Sequence, residues 1–249
     1  MTPKRAWFAA TAIMAVSGSV LANSTASFLD ASGNTINIAS GEFADILVSP
    51  GEHFSAADMA AVNTTLQQHG IQTQGRISIM LVETGAGLSI LTMFDGVEIP
   101  EQPGPTSLVT MTAFVPTTAT WQYNIDAGGT FNDFPIGGET MLNGSFIWDS
   151  GVNSEAMAVS SLAEGDSGSL FLSAFDLGDM DTNGTIQMLT MNGGAWTLPN
   201  EHILDFEPST NPGEPDNQYL QFQITNIPAP SGLLLLALAG HGRRRRRRD

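Results

Sequence analysis

The densest set of oxygen ligands in the sequence is Asp179-Met-Asp181-Thr-Asn183-Gly184, with Asp176 three residues upstream. Oxygens at alternate loop positions converge on one ion, and glycine permits the sharp turn that convergence needs. The spacing therefore predicts a Ca²⁺ loop held by Asp176, Asp179, Asp181 and Asn183. The twelfth position is Thr190 rather than a bidentate Glu, and no helical pattern flanks the run, so it is not an EF-hand. The competing assignment for the same residues is an Asn-Gly hairpin turn with acidic neighbours.

Gly165-Asp166-Ser167-Gly168-Ser169 raises the question of nucleophilic chemistry. The run resembles the nucleophile motif of chymotrypsin-like serine proteases, and His53, Asp95 and Ser167 follow that family's chain order. A triad needs its His beside the Ser and its Asp behind the His. The residues before His53, Ser-Pro-Gly-Glu, lack the small-residue run expected there. A Gly-Asp-Ser-Gly turn joining two strands explains the run equally directly, and no residue is assigned a catalytic role. Trp121, Tyr123, Trp148 and Trp196 offer a sugar-stacking platform or, more ordinarily for a sandwich, core. His202, Asp205 and Glu207 are a sparse ligand set. His69 fits the last turn of a helix, where the dipole favours imidazolium, better than a catalytic position. There is no phosphate loop, dinucleotide fingerprint or HExxH motif.

The elements that position these residues are mostly strands. One helix is expected over 56–69, with Ser55 as N-cap, Asp58 as its capping-box partner, Met59, Val62 and Leu66 on one face and Gly70 closing the end. Residues 76–83 and 88–94 are apolar at successive positions around Gly85-Ala86-Gly87, which predicts a hairpin in the middle of a sheet covered on both faces. Further strands are expected over 45–48, 107–114, 120–125, 141–149, 155–162, 169–175, 185–191 and 219–225. In the last of these, Leu220, Phe222 and Ile224 alternate with Gln221, Gln223 and Thr225, so one face is wet. Residues 99–105 and 208–215 are Pro-rich loops. Short strands with Gly-rich turns point to a mainly β fold, an antiparallel sandwich or jelly roll.

Both ends carry targeting patterns. Lys4 and Arg5, the apolar stretch 6–16, and Val20-Leu21-Ala22 with small residues at −3 and −1 make a secretory signal peptide over 1–22, cleaved after Ala22. At the other end, Pro228-Ala229-Pro230 precedes the apolar run 233–239 and six arginines, 243–248. A basic cluster after an apolar segment acts as a cytoplasmic stop-transfer anchor. This tail resembles the sorting signal of PEP-CTERM proteins, with Ala229 where that family usually has Glu. The resemblance covers the tail alone. It implies export by Sec-type machinery, transient inner-membrane anchoring, cutting near Pro228-Ala229-Pro230 by an exosortase-like transpeptidase, and delivery to the cell surface or extracellular polysaccharide matrix.

Between the ends, residues 23–226 form one domain large enough to bury a substantial core. Arg76 is the sole basic residue there against 24 acidic ones, a net charge of −23 with histidine neutral. Such a charge excludes nucleic acid and anionic membrane surfaces as partners and suits Ca²⁺ or high salt. The absence of cysteine excludes disulfides, thiolate zinc sites and cysteine nucleophiles. The expected function is a non-enzymatic cell-surface or matrix role, binding polysaccharide. The alternative is a secreted hydrolase, by protease-like or paired-carboxylate chemistry.

Overall fold

Hydrophobic alternation decides which way each strand faces, and two sheets follow from it. The computed structural model describes residues 23–43, 45–46, 54–96, 106–124, 129–149, 155–178, 180, 184–211 and 213–226. In chain order these form β1 (Thr25–Asp30), β2 (Thr35–Ala39), β3 (Gly41–Phe43), α1 (Ala56–Gln68), β4 (Ile77–Thr84), β5 (Gly87–Phe94), β6 (Thr106–Pro116) and β7 (Thr120–Asn124). There follow β8 (Thr130–Ile136), β9 (Glu139–Asp149), β10 (Glu155–Ser160), β11 (Ser167–Asp176), β12 (Ile186–Asn192), β13 (Ala195–Thr197), β14 (Ile203–Leu204) and β15 (Asp216–Asn226).

The first sheet runs β2-β1-β15-β11-β6-β9-β8 and is antiparallel throughout. The second runs β13-β12-β4-β5-β10-β7, with β14 beside β12 and β3 beside β4. Its β12–β4 and β3–β4 pairs are parallel, so this sheet is mixed where a purely antiparallel one was expected. The fold is mainly β, two facing sheets with one helix.

In the first sheet, one face is apolar and the other wet. Leu220, Phe222 and Ile224 of β15 are buried, while Gln221, Gln223 and Thr225 are exposed. Val109, Met111, Ala113 and Val115 of β6 point inward by the same alternation. They meet Ile77, Ile79, Ile90 and Phe94 of the second sheet in the larger core. Phe94 stacks on Phe146 at 4.3 Å between ring centres, which ties β5 to β9.

The second sheet is covered on both faces, and β4 and β5 therefore read as near-continuous apolar runs. Its far face carries α1. Met59, Val62 and Leu66 pack there against Met80, Val82, Leu91 and Met93. The helix starts with a full capping box: Ser55 Oγ accepts from Asp58 N at 3.1 Å, and Asp58 Oδ2 accepts from Ser55 N at 2.9 Å. It ends in a Schellman motif, with Gly70 N donating to Gln67 O and Ile71 N to Leu66 O. Gly70 has φ +76°, which glycine adopts without strain.

The strand set departs from the expected one in several places, the short β3, β13 and β14 among them. Asp45 and Ile46 form a turn and bend, closed by Ile46 N on Phe43 O at 3.1 Å, instead of opening a strand. Residues 47–48 of that expected strand, and the loop 99–105, lie outside the described residues. Strands β1 and β2, unanticipated in sequence, close the edge of the first sheet. Strand β8, also unanticipated, forms its opposite edge.

Candidate functional site

The outer face of the first sheet bears an open groove of about 590 Å³. Ladder registers bring its residues together from distant parts of the chain. One cross-strand row runs Leu29 (β1), Gln221 (β15), Ser169 (β11), Phe114 (β6), Met141 (β9) and Phe134 (β8). The neighbouring row places Ser27 opposite Gln223, and Gln223 opposite Ser167. Hydroxyls of Ser27, Ser167 and Ser169 and amides of Gln221 and Gln223 line the floor, groups that both donate and accept hydrogen bonds. Phe114, Tyr219 and Leu29 supply apolar surface, and Glu139 is the one carboxylate among the described lining residues. Gln221 Nε2 donates to Tyr219 Oη at 3.0 Å, and Phe171 packs tilted against Tyr219 at 6.5 Å, so two neighbours hold the tyrosine ring in place.

The Gly-Asp-Ser-Gly run is structural. Gly165 has φ +88°, and Asp166 closes the turn, its Oδ2 accepting from Ala163 N at 2.8 Å. Asp166 O and Gly165 N both bond to Ile224, docking the turn on β15. Gly168 packs so closely that a Cβ there would lie 2.2 Å from Phe114 O and 2.7 Å from the Phe222 ring. Ser167 faces outward on the first sheet, in the groove. Asp95 instead ends β5 in the second sheet, 1 % exposed, with Oδ1 accepting from Gly75 N at 2.7 Å and Oδ2 from Trp148 Nε1 at 3.1 Å. Both carboxylate oxygens are thus engaged inside the sandwich, and Asp95 and Ser167 are not brought together as triad members. His53 lies outside the described residues.

The chain matches no protein-family model, and no curated protein matches it. Function is therefore argued from the site itself.

Of the four aromatics, Trp148 and Trp196 take the core assignment, while Trp121 and Tyr123 share one face of β7. Trp148 sits in the core between the sheets, and Trp196 lies under the helix side, stacked on Phe43 at 5.8 Å. Trp121 and Tyr123 pack against the inter-sheet core, with Tyr123 stacked on Phe131 at 4.2 Å. Both are half-buried, on β7 at the edge of the second sheet. The groove uses Tyr219 and Phe114 instead. The alternation of β15 already marked its Gln side as wet. Nothing in the local sequence pairs that side with Ser27 or Ser169.

Of the Ca²⁺ loop, Asp176 is described, and its Oδ1 accepts from Gly178 N at 2.9 Å. Asp179, Asp181 and Asn183 lie outside the described residues. At the loop's end, Gly184 N donates to Asp205 Oδ1, and Gly184 O accepts from Arg76 Nη1. Thr190 is engaged elsewhere: its Oγ1 accepts from Ala39 N at 2.9 Å. His202 is buried with Nδ1 3.1 Å from Met188 O, and Glu207 pairs through its backbone with Asn217. Among the described residues no cluster of three His, Asp or Glu is arranged to hold a metal, so His202, Asp205 and Glu207 do not form one. His69 Nδ1 accepts from Trp196 N at 3.2 Å. The processing residues Ala22, Pro228, Ala229 and Pro230 also lie outside the described residues.

Proposed function

We propose that this protein is exported to the cell surface or extracellular matrix and there binds polysaccharide along the open face of its seven-stranded sheet. The groove carries this reading. A preformed concave surface with a few convergent polar groups and apolar flanks is the ordinary form of a ligand site. Hydroxyl and amide side chains that donate and accept match the hydroxyls of a sugar, and ring faces at Tyr219 and Phe114 match its C–H faces.

The secretory signal over 1–22 and the PEP-CTERM-like tail over 227–249 support export, anchoring and release by an exosortase-like enzyme. The first strand starts at Thr25, just after Ala22, and the last ends at Asn226, just before Pro228. Removal of both ends therefore leaves every strand whole. Thr25 and Asn226 are also ladder partners, so both connections leave from the same end of the β1–β15 pair. Ca²⁺ held by Asp176, Asp179, Asp181 and Asn183 is part of the proposal, as the counter-charge to a strongly acidic domain.

Affinity gel electrophoresis of the full-length protein against a panel of soluble polysaccharides tests the binding role. Retardation by at least one polymer, lost in Tyr219→Ala, is the expected result. Uniform mobility across the panel would refute it.

A further inference from the structure

The groove specifies a charge class for its ligand, an inference that rests on the polysaccharide reading above. We infer that the open face takes an uncharged polysaccharide, lying across the strands, and discriminates against carboxylated or sulfated chains. The direction follows from the ladder. Leu29, Gln221, Ser169 and Phe114 sit on four adjacent strands in one row, at about 4.8 Å per step. A linear chain laid along that row meets a polar floor between an aliphatic and an aromatic flank.

The charge class follows from what lines and surrounds the row. Its floor is neutral: three serine hydroxyls and two glutamine amides. Among the described residues the lining contains no Lys or Arg, and its one carboxylate, Glu139, repels an anionic sugar. Arg76, the one basic residue between 23 and 226, is at the end of the β4–β12 pair in the other sheet, bonded to Gly184 O. An acidic glycan would therefore enter the field of a domain of charge −23 with no cation among the described groove residues to offset it. A neutral glycan loses nothing to that field.

Matched polymers isolate the charge. Full-length protein is run through gels containing dextran or carboxymethyl dextran, and hydroxyethyl cellulose or carboxymethyl cellulose. Chelator is present to remove cation bridging, and both low and high salt are used. The expected result is retardation by a neutral member, at least tenfold weaker with its carboxymethyl partner at low salt, the gap narrowing at high salt and in Glu139→Gln. Tyr219→Ala, checked for an unchanged melting temperature, weakens neutral binding roughly tenfold. Equal or stronger retardation by the carboxymethyl polymers overturns the charge inference and leaves the polysaccharide reading standing. Retardation unchanged in both Tyr219→Ala and Gln221→Ala overturns the assignment to this face. No retardation by any polymer overturns both, as does a concentration-dependent dimer through this face that binds no glycan.

Discussion

Trp148 Nε1 donates to Asp95 Oδ2 at 3.1 Å, a buried bond that joins β9 of one sheet to the end of β5 in the other. Each residue is 1 % exposed. The second carboxylate oxygen takes Gly75 N at 2.7 Å, so Asp95 holds two donors, the buried indole and a half-buried turn amide. Asp95 itself has φ +51°, a left-handed conformation that Asp tolerates better than most residues.

Asp95→Ala is therefore expected to destabilise the domain by about 2–3 kcal/mol, because it strands the indole in the interior and frees the Gly75 amide. Trp148→Phe removes the same bond from the other side and leaves a smaller defect. In a double-mutant cycle by urea unfolding, the two changes should be non-additive by about 1 kcal/mol or more. Strict additivity would show that the bond contributes nothing across the sandwich.

The Gly-Asp-Ser-Gly run separates packing from chemistry in two adjacent residues. Gly168→Ala forces a methyl against Phe114 O and the Phe222 ring, and should cost about 1–3 kcal/mol in thermal or urea unfolding. Ser167→Ala, on the exposed side, should stay within about 0.5 kcal/mol of the parent. A fluorophosphonate serine probe should not label the parent protein. Labelling that Ser167→Ala abolishes would restore the hydrolase reading.

Those two residues also show what the sequence could and could not convey. Strong local rules were readable: the Ser55–Asp58 box, the helical spacing of Met59, Val62 and Leu66, the doubly apolar β4–β5 hairpin, and the Leu220/Phe222/Ile224 alternation. Each depends on neighbours within a few positions. The groove does not. Leu29, Phe114, Ser169 and Gln221 become neighbours only through ladder pairs that span most of the chain, and β1 itself is short. The tryptophans read as core, and which core each belongs to was hidden for the same reason. Trp148 and Trp196 look alike in sequence, and only the helix on one face of the second sheet assigns them to different cores.

Export and tail cleavage have a direct readout in mass. Protein extracted from the cell surface should lack residues 1–22 and should end near Pro228-Ala229-Pro230, and intact-mass spectrometry resolves both cuts. Replacing the arginines 243–248 with serine should remove the stop-transfer signal and release uncut protein. Full-length chain confined to the cytosol would defeat the export proposal.

The last prediction concerns Ca²⁺. The stretch from Asp176 to Asn183 holds four carboxylate or amide side chains in a domain of charge −23, and crowded carboxylates repel one another unless a cation sits among them. Arg76 supplies one positive charge at the loop's end, where it and Asp205 fix the Gly184 peptide. That contact ties Gly184 to the residue that precedes β4. Ca²⁺ bound only by the folded chain adds RT ln(1 + [L]/Kd), about 2.7 kcal/mol at a hundredfold excess over Kd. The melting temperature should therefore rise with Ca²⁺ and fall with chelator, and Asp181→Ala should lose the difference. Screening alone acts equally through Mg²⁺ at matched ionic strength, because it depends on charge density and not on ligand geometry. An equal rise with both cations, unaffected by Asp181→Ala, would reduce the loop to a hairpin turn and leave its carboxylates as part of the general surface charge.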